Sequence, residues 1–137
     1  MKIFDVIIIG AGPAGSICGY YLLKKGLRVV LLEKNNIGKD KICGGGISNY
    51  AINELPYRLP SRAIERRIKG VSFISPRREI FQKKEKDFVG TTVYRSIFDS
   101  FLLENAIDVG VSFIPNTKVK SISKSNDSYI VERKYKS

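Results

Sequence analysis

The chain has 137 residues, 43% hydrophobic, 10% aromatic and 27% charged, a globular composition that excludes disordered, collagen-like and disulfide-stapled classes and suits one domain with one core. Two cysteines and no histidine exclude a histidine-containing metal centre and a histidine general base, and no metal site is expected. The net charge of +11 points to an anionic partner (nucleic acid, a lipid surface or an acidic substrate), set against the plainer alternative of a solvated basic face.

Ile3 to Ile9 is almost wholly apolar and β-branched and stops at Gly10, so it reads as a strand buried on both faces of a parallel sheet. Pro13 to Lys25 follows as a helix with Ala14, Ile17, Cys18, Tyr21 and Leu22 at helical spacing, closed by Gly26. That pattern makes Cys18 a packing residue. Arg28 to Glu33 is a second buried strand, Asn35 to Gly46 a polar glycine-rich loop, and Ser48 caps a short helix reaching Leu55 before Pro56. Val71 to Ser75 and Glu79 to Lys83 flank a Ser-Pro-Arg-Arg turn and predict a hairpin, with Phe88 to Tyr94 extended after it.

Ser96 and Asp99 form a capping-box pattern ahead of an apolar stripe, Ile97, Phe101, Leu102 and Ala106, that ends at Gly110. Val111 to Ile114 is then a third parallel strand, and Lys118 to Ser123 with Tyr129 to Lys134 a second hairpin. The fold class is α/β, a Rossmann-like parallel sheet with added antiparallel hairpins. The three parallel strands order third, second, first, which leaves Val6 to Ile9 on an open edge suited to self-association or to pairing with another chain.

The chemistry concentrates at Gly10-Ala11-Gly12-Pro13-Ala14-Gly15, directly after a buried strand and opening a helix. Gly10 allows the tight turn, Gly12 lets backbone approach a pyrophosphate, and Gly15 lets helix and strand pack closely, with the helix N-terminus facing negative charge. Glu33 closes the second strand where a carboxylate accepts from ribose hydroxyls and repels a 2′-phosphate. These residues suit the ADP part of FAD or NAD equally.

Resemblance separates the two. The Gly-Pro-Ala-Gly turn with Glu33-Lys34 resembles FAD-dependent oxidoreductases of the glutathione-reductase-like class. Lys41-Ile42-Cys43-Gly44-Gly45-Gly46-Ile47-Ser48 resembles the Lys-x-Cys-Gly-Gly signature of the geranylgeranyl reductase family, and Tyr94-Arg95-Ser96-Ile97-Phe98-Asp99 is similar to that family's Arg-x-x-Phe-Asp segment. The resemblance implies FAD as hydride carrier and isoprenoid carbon-carbon double bonds, commonly in lipids, as substrate. It implies a cofactor set of Gly10, Gly12, Pro13, Ala14, Gly15, Glu33, Lys34, Cys43, Gly44, Gly45, Gly46 and Arg95, with Cys43 as a candidate catalytic thiol that Lys41 would bias toward thiolate. Cys43 as a small packed hydrophobe and Arg95 paired with Asp99 across a helical turn are the structural alternatives.

The resemblance also implies that residues 1–137 are the N-terminal portion of an FAD-binding domain, with about 60–94 inserted toward a substrate domain. Later flavin-contacting segments of the family lie beyond Ser137, so the chain is expected to be a fragment, a shortened reading frame or one half of a protein completed by a separate C-terminal chain. The rival readings are an FAD-dependent monooxygenase-like fragment and a non-catalytic nucleotide-binding or interaction module.

Arg62 to Lys86 holds nine basic residues against Glu65, Glu79 and Glu85, a local excess of six. Without interleaved aromatics or a recognition motif, nucleic acid is disfavoured and an anionic lipid headgroup surface is preferred. No apolar run reaches the ~20 residues of a membrane span, and Asp5 interrupts any signal-peptide pattern. A cytoplasmic location, with peripheral membrane contact, is expected.

Overall fold

The computed structural model describes residues 2–39, 41–84 and 89–135. In chain order its elements are β1 (Val6–Ile9), α1 (Pro13–Lys24), β2 (Val29–Leu32), β3 (Gly46–Ser48), α2 (Asn49–Asn53), β4 (Ile64–Ile68), β5 (Gly70–Ile74), β6 (Ile80–Lys84), β7 (Gly90–Val93), α3 (Arg95–Asp108), β8 (Ser112–Ile114), β9 (Thr117–Ser125) and β10 (Ser128–Tyr135). They fall into two compact units, Met1–Lys39 with Asp99–Ser137, and Asp40–Phe98. No helix among the described residues is long and apolar enough to cross a membrane.

The first unit is built on a parallel sheet ordered β1-β2-β8, the expected order. The run Val29 to Leu32 is buried at every position, which explains a sequence with no polar alternation. Its core joins Ala11, Val29, Leu31, Leu103, Ala106 and Val111. β9 and β10 pair antiparallel with a register shift between Glu132 and Arg133, and Asn126 supplies the positive φ of their turn.

Three expectations are corrected here. β1 is shorter than Ile3 to Ile9 and is not covered on both faces: Ile7 is 36% and Ile9 51% exposed, although their register partners Val30 and Leu32 are buried. Side chains alternate between the two faces of the sheet: Ile8 lies against Gly15 and Gly19 of α1, while the opposite face of β1, which carries Ile7 and Ile9, is left open. α1 buries Ser16 and Gly19, not the Ala14, Ile17, Cys18 and Tyr21 stripe, and Cys18 is exposed. The packed face runs through Gly19, whose position lies against Ile8 and Val111, with Tyr20, Leu22 and Leu23 packed partly buried against the core.

The third concerns α3, which starts at Arg95 with the Phe98 N–H donating to the Tyr94 carbonyl at 2.9 Å. Ser96 therefore lies inside the first turn and not at the cap. The buried stripe is Phe98, Leu102, Leu103 and Ala106, while Ile97 is exposed. Gly110, at φ +113, ends the helix as expected, with the Val111 N–H donating to the Ala106 carbonyl at 3.0 Å.

The second unit contains an antiparallel sheet ordered β3-β7-β4 and a separate β5-β6 pair. Ser48 caps α2, its hydroxyl accepting from the Ala51 N–H at 3.2 Å. The β5-β6 hairpin forms around the anticipated turn. β3 and β4 are additions to the sequence reading, and within Phe88 to Tyr94 the strand is β7. Phe88, Glu85 and Lys86 lie outside the described residues.

Candidate dinucleotide site

The glycine turn is held from both strands. The Gly10 N–H donates to the Leu32 carbonyl at 2.8 Å, continuing the β1-β2 ladder one step past the strand, and Gly10 then turns at φ +104, a conformation that side chains resist. α1 begins with Pro13 at its first position and Gly12 as N-cap, with no capping side chain. The first-turn amides of such a helix have no intrahelical acceptor and offer donors to an anion. Gly15 is fixed by space: a Cβ there would collide with the Gly10 carbonyl oxygen and meet Ile8 at 3.2 Å.

Glu33 does more than the spacing suggests. One carboxylate oxygen accepts from the Ala11 N–H at 2.9 Å and the other from the Asn35 N–H at 3.0 Å, so the side chain ties the glycine turn to the end of β2. Its backbone is locked too, the N–H donating to Ile114 at 3.1 Å and the carbonyl accepting from Thr117 at 2.8 Å. Each carboxylate oxygen carries two lone pairs, so an acceptor face remains for a diol. A turn that excludes side chains, a cap without one and a fixed carboxylate fit the pyrophosphate and ribose of an ADP group.

Five residues here escaped the sequence reading. Ser16, fully buried, donates from its hydroxyl to the Ala11 carbonyl at 3.2 Å. Asn116, at φ +52, donates from its side-chain amide to Asn36 at 2.7 Å, bridging the loops that follow β8 and β2. Asn35 and Thr117 contribute the backbone donors to Glu33. The only signal for the asparagines was their turn propensity directly after strands.

Gly10, Gly12, Pro13, Ala14, Gly15, Glu33 and Lys34 therefore sit in one unit, around the carboxyl ends of β1 and β2. Cys43, Gly44, Gly45, Gly46 and Arg95 belong to the other unit, where they are brought together: Gly46 pairs with Thr92, and the Val93 N–H donates to Gly45 at 3.0 Å, two residues before Arg95. Among the three glycines of this loop only Gly45 has a positive φ, +66, and a Cβ on it would collide with the Val93 carbonyl. Its requirement comes from β7, while Gly44 and Gly46 have open space. Cys43 is exposed and its sulfur accepts from the Gly45 N–H at 3.4 Å, which sets aside the reading of a packed hydrophobe.

Residues 5–72 match the family described as FAD dependent oxidoreductase. A solved geranylgeranyl bacteriochlorophyll reductase-like protein of Thermoplasma acidophilum superposes with a TM-score of 0.85 at 28% identity, over 96% of this chain and 35% of that one. The chain corresponds to the N-terminal, FAD-binding portion of geranylgeranyl-reductase-like proteins. A digeranylgeranylglycerophospholipid reductase of Methanosphaera stadtmanae is 30% identical over 98% of the chain and 35% of the relative. A geranylgeranyl diphosphate reductase of Synechocystis is 33% identical over 93% and 32%. The FAD-binding portion thus spans about a third of the length of these relatives.

Proposed function

We propose that this chain supplies the dinucleotide half of the FAD site in a reductase that saturates isoprenoid carbon-carbon double bonds of lipids. The observation that carries the reading is the Glu33 carboxylate held at 2.9 Å from the Ala11 N–H of the glycine turn, an acceptor fixed in advance beside a cradle without side chains. Gly12 supports it further: it caps α1 without a side chain, at a φ of −73 that is not one only glycine adopts. FAD held in its reduced form would supply the hydride for one alkene carbon, itself becoming oxidised, with a proton adding to the other carbon. In this chain Gly12, Pro13, Ala14 and Gly15 would take the pyrophosphate and Glu33 and Lys34 the ribose. The Cys43 to Gly46 loop would lie toward the flavin ring, with Cys43 as candidate catalytic residue and Arg95 as an anion or hydroxyl contact.

The names of the relatives, digeranylgeranylglycerophospholipid reductase and geranylgeranyl diphosphate reductase, support an isoprenoid substrate, and the basic window supports contact with anionic headgroups from the cytoplasmic side. The exposed outer face of β1 supports completion by further polypeptide or by a second copy. Titration of the purified chain with ADP and FAD tests the reading. Gly12→Asp is expected to abolish binding of both, and Glu33→Gln to weaken both about tenfold while the circular dichroism spectrum is kept. Unchanged ADP affinity in Gly12→Asp would overturn the site. Weak FAD binding without alkene reduction by the chain alone is expected; stoichiometric yellow FAD with turnover would show that these residues suffice.

A further inference from the structure

Ser16 is fully buried, one residue after the last glycine of the turn, and a buried hydroxyl requires an acceptor. It has one in the Ala11 carbonyl, 3.2 Å away and five residues back. That is one step longer than the bonds of an α-helical ladder, so the contact lies outside the pattern of α1 and falls on the turn ahead of it. Helix packing alone would be served as well by alanine, which has the better propensity and no polar atom to bury.

The neighbouring backbone shows what the hydroxyl does. The Gly10 carbonyl oxygen occupies the space of a Cβ on Gly15, and the Gly12 carbonyl accepts from the Ser16 N–H at 3.0 Å. With Ala11 on the Ser16 hydroxyl, the carbonyls of Gly10, Ala11 and Gly12 all face Gly15 and Ser16 of α1. Each has its own holder. The peptide between Gly10 and Ala11 is fixed through its N–H by the Glu33 carboxylate, and the Gly12 carbonyl by the first bond of the helix. The peptide between Ala11 and Gly12 is held by Ser16.

This middle peptide is the one that can turn over. Reversing it changes the φ of Gly12 by about half a turn from −73, into the positive region that glycine alone enters freely. The residue that clears the turn of side chains therefore leaves two orientations open. The peptide is trans, so its C=O and N–H point in opposite directions: with the carbonyl drawn onto Ser16, the Gly12 N–H is aimed away from it. A reversed peptide would set a carbonyl oxygen, which repels an anion, in place of a donor.

We propose that Ser16 is a positioning residue of the cofactor site, whose buried hydroxyl holds the peptide between Ala11 and Gly12 so that it presents N–H and not C=O to the diphosphate. The inference rests on the dinucleotide reading of the turn. Ser16 is buried by residues of this chain itself, so the contact does not depend on what further polypeptide covers.

Inorganic pyrophosphate, ADP and adenosine, titrated into the isotope-labelled chain and read at its backbone amides, test it. In the wild type, pyrophosphate is expected to shift the Gly12, Ala14 and Gly15 amides. Ser16→Ala fits the space and should weaken pyrophosphate and ADP about three- to tenfold, leave adenosine unchanged and diminish the Gly12 shift most. Ser16→Cys, a weaker donor of similar size, should fall between the two. Undiminished pyrophosphate affinity in Ser16→Ala overturns the proposal, and so does an equal loss for adenosine, which would make Ser16 a packing residue. Either result leaves the dinucleotide reading standing if Gly12→Asp still abolishes ADP binding. A wild-type turn whose amides respond to neither pyrophosphate nor ADP overturns that reading itself.

Discussion

In the unit formed by Met1–Lys39 and Asp99–Ser137, the apolar run Val29 to Leu32 is buried at every position, whereas in the Asp40–Phe98 unit Phe73, Ile74, Ile80 and Phe81 are exposed on β5 and β6. Both segments are short, apolar and β-forming. What separates them is coverage: a central parallel strand has neighbours on both edges and a helix above it, while a two-stranded hairpin has neither. Apolar sequence in the first unit therefore serves the core built from these residues, while in the second it lies open among them.

The comparison is broken most forcefully at the glycines. Gly15→Ala puts a Cβ against the Gly10 carbonyl, and Gly45→Ala puts one against the Val93 carbonyl at φ +66. Both should destabilise by about 1–3 kcal/mol or more, but only Gly15→Ala should also eliminate ADP binding. Equal loss of ADP affinity in Gly45→Ala, measured calorimetrically, would make the two units one functional piece.

Truncation of core and hairpin should differ nearly as much. Leu31 is fully buried, so Leu31→Ala is expected to cost about 2–5 kcal/mol in denaturant unfolding, while Phe73→Ser should stay within about 0.5 kcal/mol. A large loss from Phe73→Ser would mean that the hairpin end is covered in solution.

The smallest effect belongs to the Asp5-Arg28 pair that joins the start of β1 to β2. The guanidinium donates to the carboxylate at 2.8 and 3.0 Å, and the Arg28 N–H donates at 2.7 Å. Hydrogen bonds from the Arg28 side chain, then its backbone, hold the Asp5 carboxyl at about 2, against an ordinary 3.8. A carboxyl depressed in the folded state stabilises fully above the ordinary value and loses that contribution as pH falls from about 4 to 2. Wild type and Asp5→Asn should therefore converge in thermal stability across that window, by a small margin because the pair is exposed to solvent. A gap that persists at pH 2 would locate the effect elsewhere.

How far the sequence was legible follows the same division. The parallel order and the glycine turn could be read because sheet strands and a turn without room for side chains at Gly15 leave apolar runs and fixed glycine spacing. Ser48 and the β5-β6 turn were legible as local hydrogen-bond chemistry. β4 was not, since Glu65, Arg66 and Arg67 in its middle are exposed and break any apolar pattern. The face of α1 was read only in part: Leu22 of the expected stripe packs against the core, but the fully buried positions are Ser16 and Gly19, which carry no hydrophobic signal. At the site, Glu33 was found by position, but its bonds to Ala11 and Asn35 and the Asn36-Asn116 bridge depend on loop paths that no periodicity encodes.

That double engagement of Glu33 bears on how such a site can change over evolutionary time. The charge that would repel a 2′-phosphate is the same group that anchors Ala11 and Asn35. A mutation toward a phosphorylated cofactor at this position would release the turn before any new contact could form, passing through a variant that binds neither cofactor. On the proposed role of Glu33, selectivity would be buffered by architecture: a new acceptor for the Ala11 amide would have to arise first, and until then the adenosine class of the cofactor would be inherited along with the shape of the turn.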